Sequence, residues 1–298
     1  MLTFRDITPA DKEAVQRFTL NSQRQNCDLS FANLCSWRFL YQTQLAFTDE
    51  FLVLRFYVDG ALSYMMPVGE GDPTHLLALL EEDAHRMGHP FQLSGICEHT
   101  RSMLEQAQPG RLRFSTNRDL ADYLYRRTDL AELKGKKYQA KRNHVNRFER
   151  MYPHHIYRPL GTEQVDECLA LESQWMEHAA THEQQALADE RRSLTYALRH
   201  FNELDLTGGA LYVDGHIVAF TFGAPINAHT FDVCIEKADT RFDGAYSAIN
   251  QQFALHLPEQ YVFLNREEDL GIEGLRKSKL SYHPATILMK YTATLADE

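Results

Sequence analysis

Residues 208–225 read GGALYVDGHIVAFTFGAP, two apolar runs divided by Asp214-Gly215. An Asp-Gly pair between strand-like runs predicts a two-residue β-hairpin, because a type I′ turn needs positive φ at both central positions and these residues accept it. The tetrapeptide Tyr212-Val213-Asp214-Gly215 repeats Tyr57-Val58-Asp59-Gly60, which lies between the apolar runs FLVLRFYV and ALSYMMPV. The elements around the two copies come in a similar order. Together these features predict a duplicated unit.

Outward from the first hairpin, LTFRDI reads as a strand, and Thr8 with Pro9 opens a helix to about Leu20. After it come a helix near 73–87, the strand FQLSGI, a helix across 101–108 and the strand RLRFSTN. Around the second hairpin lie a strand near HHIYRPL, helices near 163–179 and 189–204, and the strand AHTFDVCIEKA, with Phe231, Val233 and Ile235 on one face. A helix opening at Gly244, the strand YVFLN, a helix across 270–280 and the strand ATILMKY complete the chain. The expected class is α/β (α+β), two mixed central sheets flanked by helices. The units are expected at 1–125 and 153–298, joined by a basic connecting helix at 126–152.

At 298 residues the chain suits two domains, since single cores stop growing near roughly 250–300 residues. Hydrophobic residues are 44% and charged residues 24%, the composition of an ordinary globular protein. No apolar run approaches the roughly 18 residues of a membrane span, and the N-terminus reads as strand and helix, so a cytoplasmic protein is expected. Cys27, Cys35, Cys97, Cys168 and Cys234 are scattered without a CxxC pair, which suits reduced core thiols. His178 and His182 have metal-compatible spacing but no HExxH glutamate, so no metal is expected.

A net charge of −10 argues against broad nucleic-acid affinity. Yet residues 134–150, KGKKYQAKRNHVNRFER, hold seven Lys or Arg against one Glu. Read as a helix, Lys134, Lys137, Lys141 and His144 line one side and Tyr138, Val145, Phe148 and Tyr152 the other. Arg142 falls on the apolar stripe, where it needs an acidic partner or an anion. The segment reads either as a solvated linker helix or as a track for phosphates.

The basic run, the YVDG hairpin followed by VAFTFG, the strand FDVCIEKAD and NREEDLGIEGLRKSKLSYHP at 265–284 together resemble the soluble DUF2156 proteins. Those are similar to the C-terminal catalytic domain of phosphatidylglycerol lysyltransferases. The resemblance implies two tandem GNAT-like acyltransferase domains, related to the Fem transferases, with the second domain catalytic. It also implies an aminoacyl-tRNA donor, no tightly bound cofactor, and an acceptor left open, because the lipid enzymes carry a membrane region this sequence lacks. GNAT acetyltransferases hold CoA pyrophosphate with R/Q-x-x-G-x-G/A before a helix. Here Arg241 and Gly244 match that pattern, but Asp243 and Tyr246 depart from it.

Acyl transfer by an amine on an ester asks for a base, a cation or donor for the oxyanion, and a carboxylate for the aminoacyl ammonium. Glu236, Glu267 and Asp269 are the candidate carboxylates, and Tyr282 a candidate proton donor to the leaving hydroxyl. Arg266, Lys277 and Lys279 are candidate cations. Asn265, Gly271, Gly274 and Arg276 complete the candidate site, with Lys137, Lys141, Arg142, Arg241 and Gly244 for phosphate. Asp269 is also expected to cap a helix starting at Leu270, while Arg276, Lys277 and Lys279 offset its C-terminal dipole. Gly271 and Gly274, each costing about 1 kcal/mol in a helix, are expected to admit a close backbone approach on one face. The alternatives are a CoA-dependent N-acyltransferase and a non-catalytic module of the same fold.

Overall fold

The computed structural model describes residues 2–176 and 184–296; His178 and His182 lie outside them. The first sheet holds β1 (Arg5–Asp6), β2 (Gln44–Phe47), β3 (Phe51–Val58), β4 (Ala61–Met65), β5 (Val68–Gly69), β6 (Gln92–Ile96), β7 (Leu112–Thr116) and β15 (Tyr291–Leu295). The second holds β8 (Asp122–Arg126), β9 (Ile156–Leu160), β10 (Thr207–Val213), β11 (His216–Asn227), β12 (Thr230–Ala238), β13 (Phe263–Asn265) and β14 (Thr286–Leu288). The helices are α1 (Lys12–Thr19), α2 (Phe31–Ser36), α3 (Arg38–Tyr41), α4 (Thr74–Arg86), α5 (Glu98–Ala107), α6 (Arg127–Glu132), α7 (Gln139–Met151), α8 (Val165–Met176), α9 (Gln184–Arg199), α10 (Ala245–His256) and α11 (Glu273–Leu280).

Both Asp-Gly hairpins form as expected, with φ of 50° and 80° at Asp59-Gly60 and 51° and 84° at Asp214-Gly215. They do not occupy equivalent places. In the first sheet β1-β2-β3-β4 run antiparallel and β4 then pairs in parallel with β6. In the second, β9-β10-β11-β12 run antiparallel and β12 pairs in parallel with β13. The first hairpin therefore joins the third and fourth strands of its sheet, the other the second and third. The duplication is carried by strand order, and the matching tetrapeptides mark only a shared turn geometry.

Each sheet is completed by a strand from the other half of the chain. β15 lies between β6 and β7, and β8 lies between β13 and β14, antiparallel to both neighbours in each case. The expected boundary at 125 thus falls inside a strand of the second sheet. The largest core is likewise shared, since Phe31 and Leu34 of α2 pack with Leu194 and Leu198 of α9 and Phe220 and Phe222 of β11. Burying side chains of this size stabilises the fold by roughly 1.5–3 kcal/mol each, so the halves are tied across their whole contact.

The basic connector is two helices rather than one. α6 ends at Leu133 in the left-handed region, Gly135 follows at φ +89°, and α7 starts at Gln139. Lys134 falls in the break, outside the expected stripe. Tyr138, Val145 and Phe148 are buried as the periodicity requires.

Candidate active site

β12 and β13 pair only through residues 230–232 and 263–265. Beyond that point β12 continues to Ala238, whereas the chain leaves β13 as Arg266-Glu267-Glu268-Asp269, opening a split in the sheet. Local chemistry forces the departure: Asn265 Oδ1 accepts the Glu267 N–H at 2.7 Å, and Glu267 takes φ +54°. Asn265 is itself fixed, its amide donating to Asp122 Oδ2 at 2.8 Å and to the Gln25 carbonyl at 2.7 Å. A β-bulge between Asp232, opposite Ala224, and Ile235, opposite Phe222, breaks the alternation of β12 here, so Asp232 meets Asn33 of α2 while Glu236, opposite Thr221, meets Asn250 of α10.

One side of the split is lined by carboxyl groups. Asp232 is fully buried and Glu267 half-buried, and the Asn33 amide donates to both, at 2.9 and 2.8 Å. Burial, and then the charge of Glu267, holds the Asp232 carboxyl well above the usual carboxylate range. Burial, and then Glu268, pushes Glu267 up to about 8. Cys234 Sγ donates to Asp232 at 3.4 Å, and burial holds that thiol protonated. The ligating atoms of Asp232, Cys234 and Glu267 lie within 4.8 Å of one another.

The other side is cationic. Arg266 pairs with Glu236 at 2.9 Å, and Asn250 donates to the second Glu236 oxygen at 3.0 Å. Arg266 also lies over the Tyr282 ring, 4.9 Å from its centroid, and Lys141 of α7 lies over that ring at 3.9 Å. Burial, and then the Arg266 charge, lowers Lys141 to about 8. Lys279 is buried and donates to the carbonyls of Arg266 and Glu267. It anchors the loop rather than offsetting the dipole of α11. The Tyr282 hydroxyl donates to Ser247 at 3.3 Å, so its ring, not its hydroxyl, serves the cations.

A second acidic cluster lies behind the loop. Lys290 reaches Asp122 at 2.8 Å, Asp28 at 3.1 Å and Glu268, with Cys27 Sγ at 3.8 Å. The ligating atoms of Cys27, Asp122 and Glu268 also lie within 4.8 Å of one another.

The remaining candidates are held in other contacts. Asp269 is fully buried, with Arg276 donating to both its oxygens at 2.6 and 2.8 Å and Tyr123 at 2.5 Å. Arg276 holds its carboxyl well below the usual range. Asp269 does not cap a helix at Leu270; it accepts the Gly271 N–H at 2.9 Å, and α11 starts three residues later, at Glu273, after Ile272. Gly271 has φ +75°, and a Cβ there would lie 2.9 Å from Asp119 Oδ2, whereas Gly274 faces open space. Lys277 pairs with Glu273 in solvent at 2.7 Å. Lys137 lies 3.8 Å from Asp129. Arg142 donates to the Leu133 and Gly135 carbonyls at the end of α6. Arg241 pairs with Asp239 at 2.6 Å. Gly244 packs against the His144 carbonyl, and Asp243 pairs with Arg147 at 2.9 Å, so α7 covers the start of α10.

Sequence reading missed Asp232, Asn33 and the Lys290 cluster. Asp232 had a signal, a carboxylate between the apolar residues Phe231 and Val233 of a strand; the single face expected for Phe231, Val233 and Ile235 is broken by the bulge, which puts Ile235 in the core shared with α2 and the other two in the core beneath α10. Asn33 had none, because its place depends on α2 packing beneath the split.

A family model described as phosphatidylglycerol lysyltransferase, C-terminal, matches residues 20–294. A crystal structure from Bacteroides thetaiotaomicron, of a conserved protein of unknown function, is 55% identical with TM-score 0.96, over 99% of this chain and 100% of that one. The L-PGS structure from Bacillus licheniformis is 16% identical with TM-score 0.67, over 97% and 93% of the two chains. An uncharacterized protein of Mycoplasmoides gallisepticum is 27% identical over 174 residues, 57% of this chain and 54% of its own. The chain thus spans about half the length of that curated relative. The class expected from the sequence, two mixed sheets flanked by helices, is the fold observed.

Proposed function

This chain belongs to the phosphatidylglycerol lysyltransferase C-terminal family, and on that premise we propose that it is an acyltransferase that takes an aminoacyl group from aminoacyl-tRNA. The observation that carries the reading is the polarity of the split. Asp232 and Glu267 stand on one side, and Arg266 and Lys141 on the other, with α7 extending the positive side. Aminoacyl-tRNA has the matching polarity: an ammonium on the acyl group and a polyanion beyond the ester. In the transfer, an acceptor N–H or O–H adds to the ester carbonyl, Arg266 faces the developing oxyanion, and the ester C–O bond then breaks. Lys141, lowered to about 8, takes the acceptor proton as its neutral amine and returns it to the departing tRNA oxygen.

An acyl-CoA donor fits less well. Its pyrophosphate would need the start of α10, where Gly244 abuts α7 and Asp243 adds negative charge. No helix among the described residues is long and apolar enough to cross a membrane, and the acceptor is left as any N–H or O–H nucleophile. The test is parallel binding of aminoacylated tRNA, uncharged tRNA and acetyl-CoA. Charged tRNA should bind about tenfold tighter than uncharged, and Lys141→Ala with Lys137→Ala should weaken both tRNA forms. Equal binding of the two tRNAs, or binding of acetyl-CoA alone, would refute the reading.

A further inference from the structure

Lys290 lies in the Met289-Lys290 link between β14, which ends the second sheet at Leu288, and β15, which starts at Tyr291 and completes the first. Through this crossover one of the exchanged strands leaves its own half, and it places an ammonium where the two halves meet. The Lys290 side chain is only 10% exposed. Its Nζ reaches Asp122 at 2.8 Å, Asp28 at 3.1 Å and Glu268. Against burial, Asp28, Cys27, Asp122 and Glu268 hold it charged.

Each partner belongs to a segment that places one wall of the split. Asp122 opens β8, and its Oδ2 accepts the Asn265 amide and the Cys27 N–H, both at 2.8 Å. Asn265 in turn accepts the Glu267 N–H and sets the turn out of β13, of which Glu268 is the next residue. Cys27 and Asp28 lead into α2, whose Asn33 donates to the Cys27 carbonyl at 3.2 Å as well as to Asp232 and Glu267. Charge follows the same route. Burial raises the Glu268 carboxyl and Lys290 opposes that rise, while burial and then the Glu268 charge raise Glu267. Asp232, Asp122 and Lys279 also face Glu267; Asp122, Asp28 and the Tyr41 hydroxyl face Glu268.

We propose that Lys290 is a positioning residue of the split: through Asp122 it fixes the Asn265 turn, and through Glu268 it governs the charge that faces Glu267. This rests on the reading of the split as the donor site and extends that site to the crossover between the sheets. The exchange of β15 then serves the site as well as the fold.

Removing the ammonium lets Glu268 take a proton, and a neutral Glu268 no longer lifts Glu267. The test follows the Glu267 carboxyl in the whole chain by carboxyl-carbon NMR, its signal identified by its loss in Glu267→Gln. It should titrate near pH 8 in the parent and at least about one pH unit lower in Lys290→Met, while Lys290→Arg, which keeps the charge, stays close to the parent. Glu268→Gln cuts the same link and should move the midpoint in the same direction, which decides the matter where Lys290→Met does not fold. A merely structural ion pair would lower the melting temperature and leave the midpoint in place; an unmoved midpoint in Lys290→Met or in Glu268→Gln would overturn the proposal. Lys290→Met should also lose the roughly tenfold preference for charged over uncharged tRNA, and Lys290→Arg should keep it. A midpoint that moves with Lys290, in a parent without that preference, keeps the positioning role and removes the donor. A preference that survives Lys290→Met removes the positioning role and leaves the donor.

Discussion

Glu267 illustrates how burial turns a carboxylate into a pH-sensitive element. Its folded form holds a proton up to about pH 8, while the unfolded chain releases it near 4.5. Between those values the folded state binds more protons, so this group's stabilising contribution is complete below about pH 4.5 and is lost as pH rises through about 8. The melting temperature should therefore fall from pH 5 to pH 8, with a slope of at most roughly 1.4 kcal/mol per pH unit from this group. Glu267→Gln should flatten that descent; a variant whose slope matched the parent's would show that the fold does not hold Glu267 protonated. Asp269 has the opposite sign, since Arg276 lowers it, and its stabilising contribution is kept at neutral pH. The two carboxylates are two positions apart in NREED and look interchangeable in the sequence. Their difference comes from what packs against each, a second carboxylate for one and a guanidinium for the other.

At the scale of elements, the two glycines of 265–284 separate into different roles. Gly271 follows Leu270, which is also left-handed at φ +52°, and sits against Asp119. Gly274 is inside α11 with nothing near. Gly271→Ala should destabilise the protein by about 1–3 kcal/mol, through strain at positive φ and the close Asp119 carboxylate. Gly274→Ala should stabilise it by up to about 1 kcal/mol from helix propensity, with binding unchanged. Thermal melts of the pair decide this, and equal effects of the two substitutions would contradict the geometry. The sequence made the hairpin turns legible because Asp-Gly encodes a local backbone conformation. The start of α11 was less legible, because a tertiary demand on Asp269 overrides its capping preference. Arg142 shows the same limit: the periodicity placed it on the buried side, but its partners are carbonyls at the end of a different helix.

For the whole molecule, the exchange of β8 and β15 makes the two sheets dependent on each other. Neither residues 1–152 nor 153–298 alone can complete both the sheet and the shared core of α2, α9 and β11. The full chain should unfold in one cooperative transition, and each half expressed alone should lack a sharp melt by circular dichroism. Two independent transitions in the full chain would mean that the exchanged strands contribute little.

The sequence by itself determined the turn types, most strands and helices around the two hairpins, the buried face of α7 and the family, because these depend on backbone preference and periodicity within a few residues. Tertiary structure alone decided which strand completes which sheet, and which charges meet at the split. Asn33 reaches Asp232 across 199 positions and Glu267 across 234. Such neighbours are set by burial of a core drawn from both halves, and no local pattern in the chain encodes that distance.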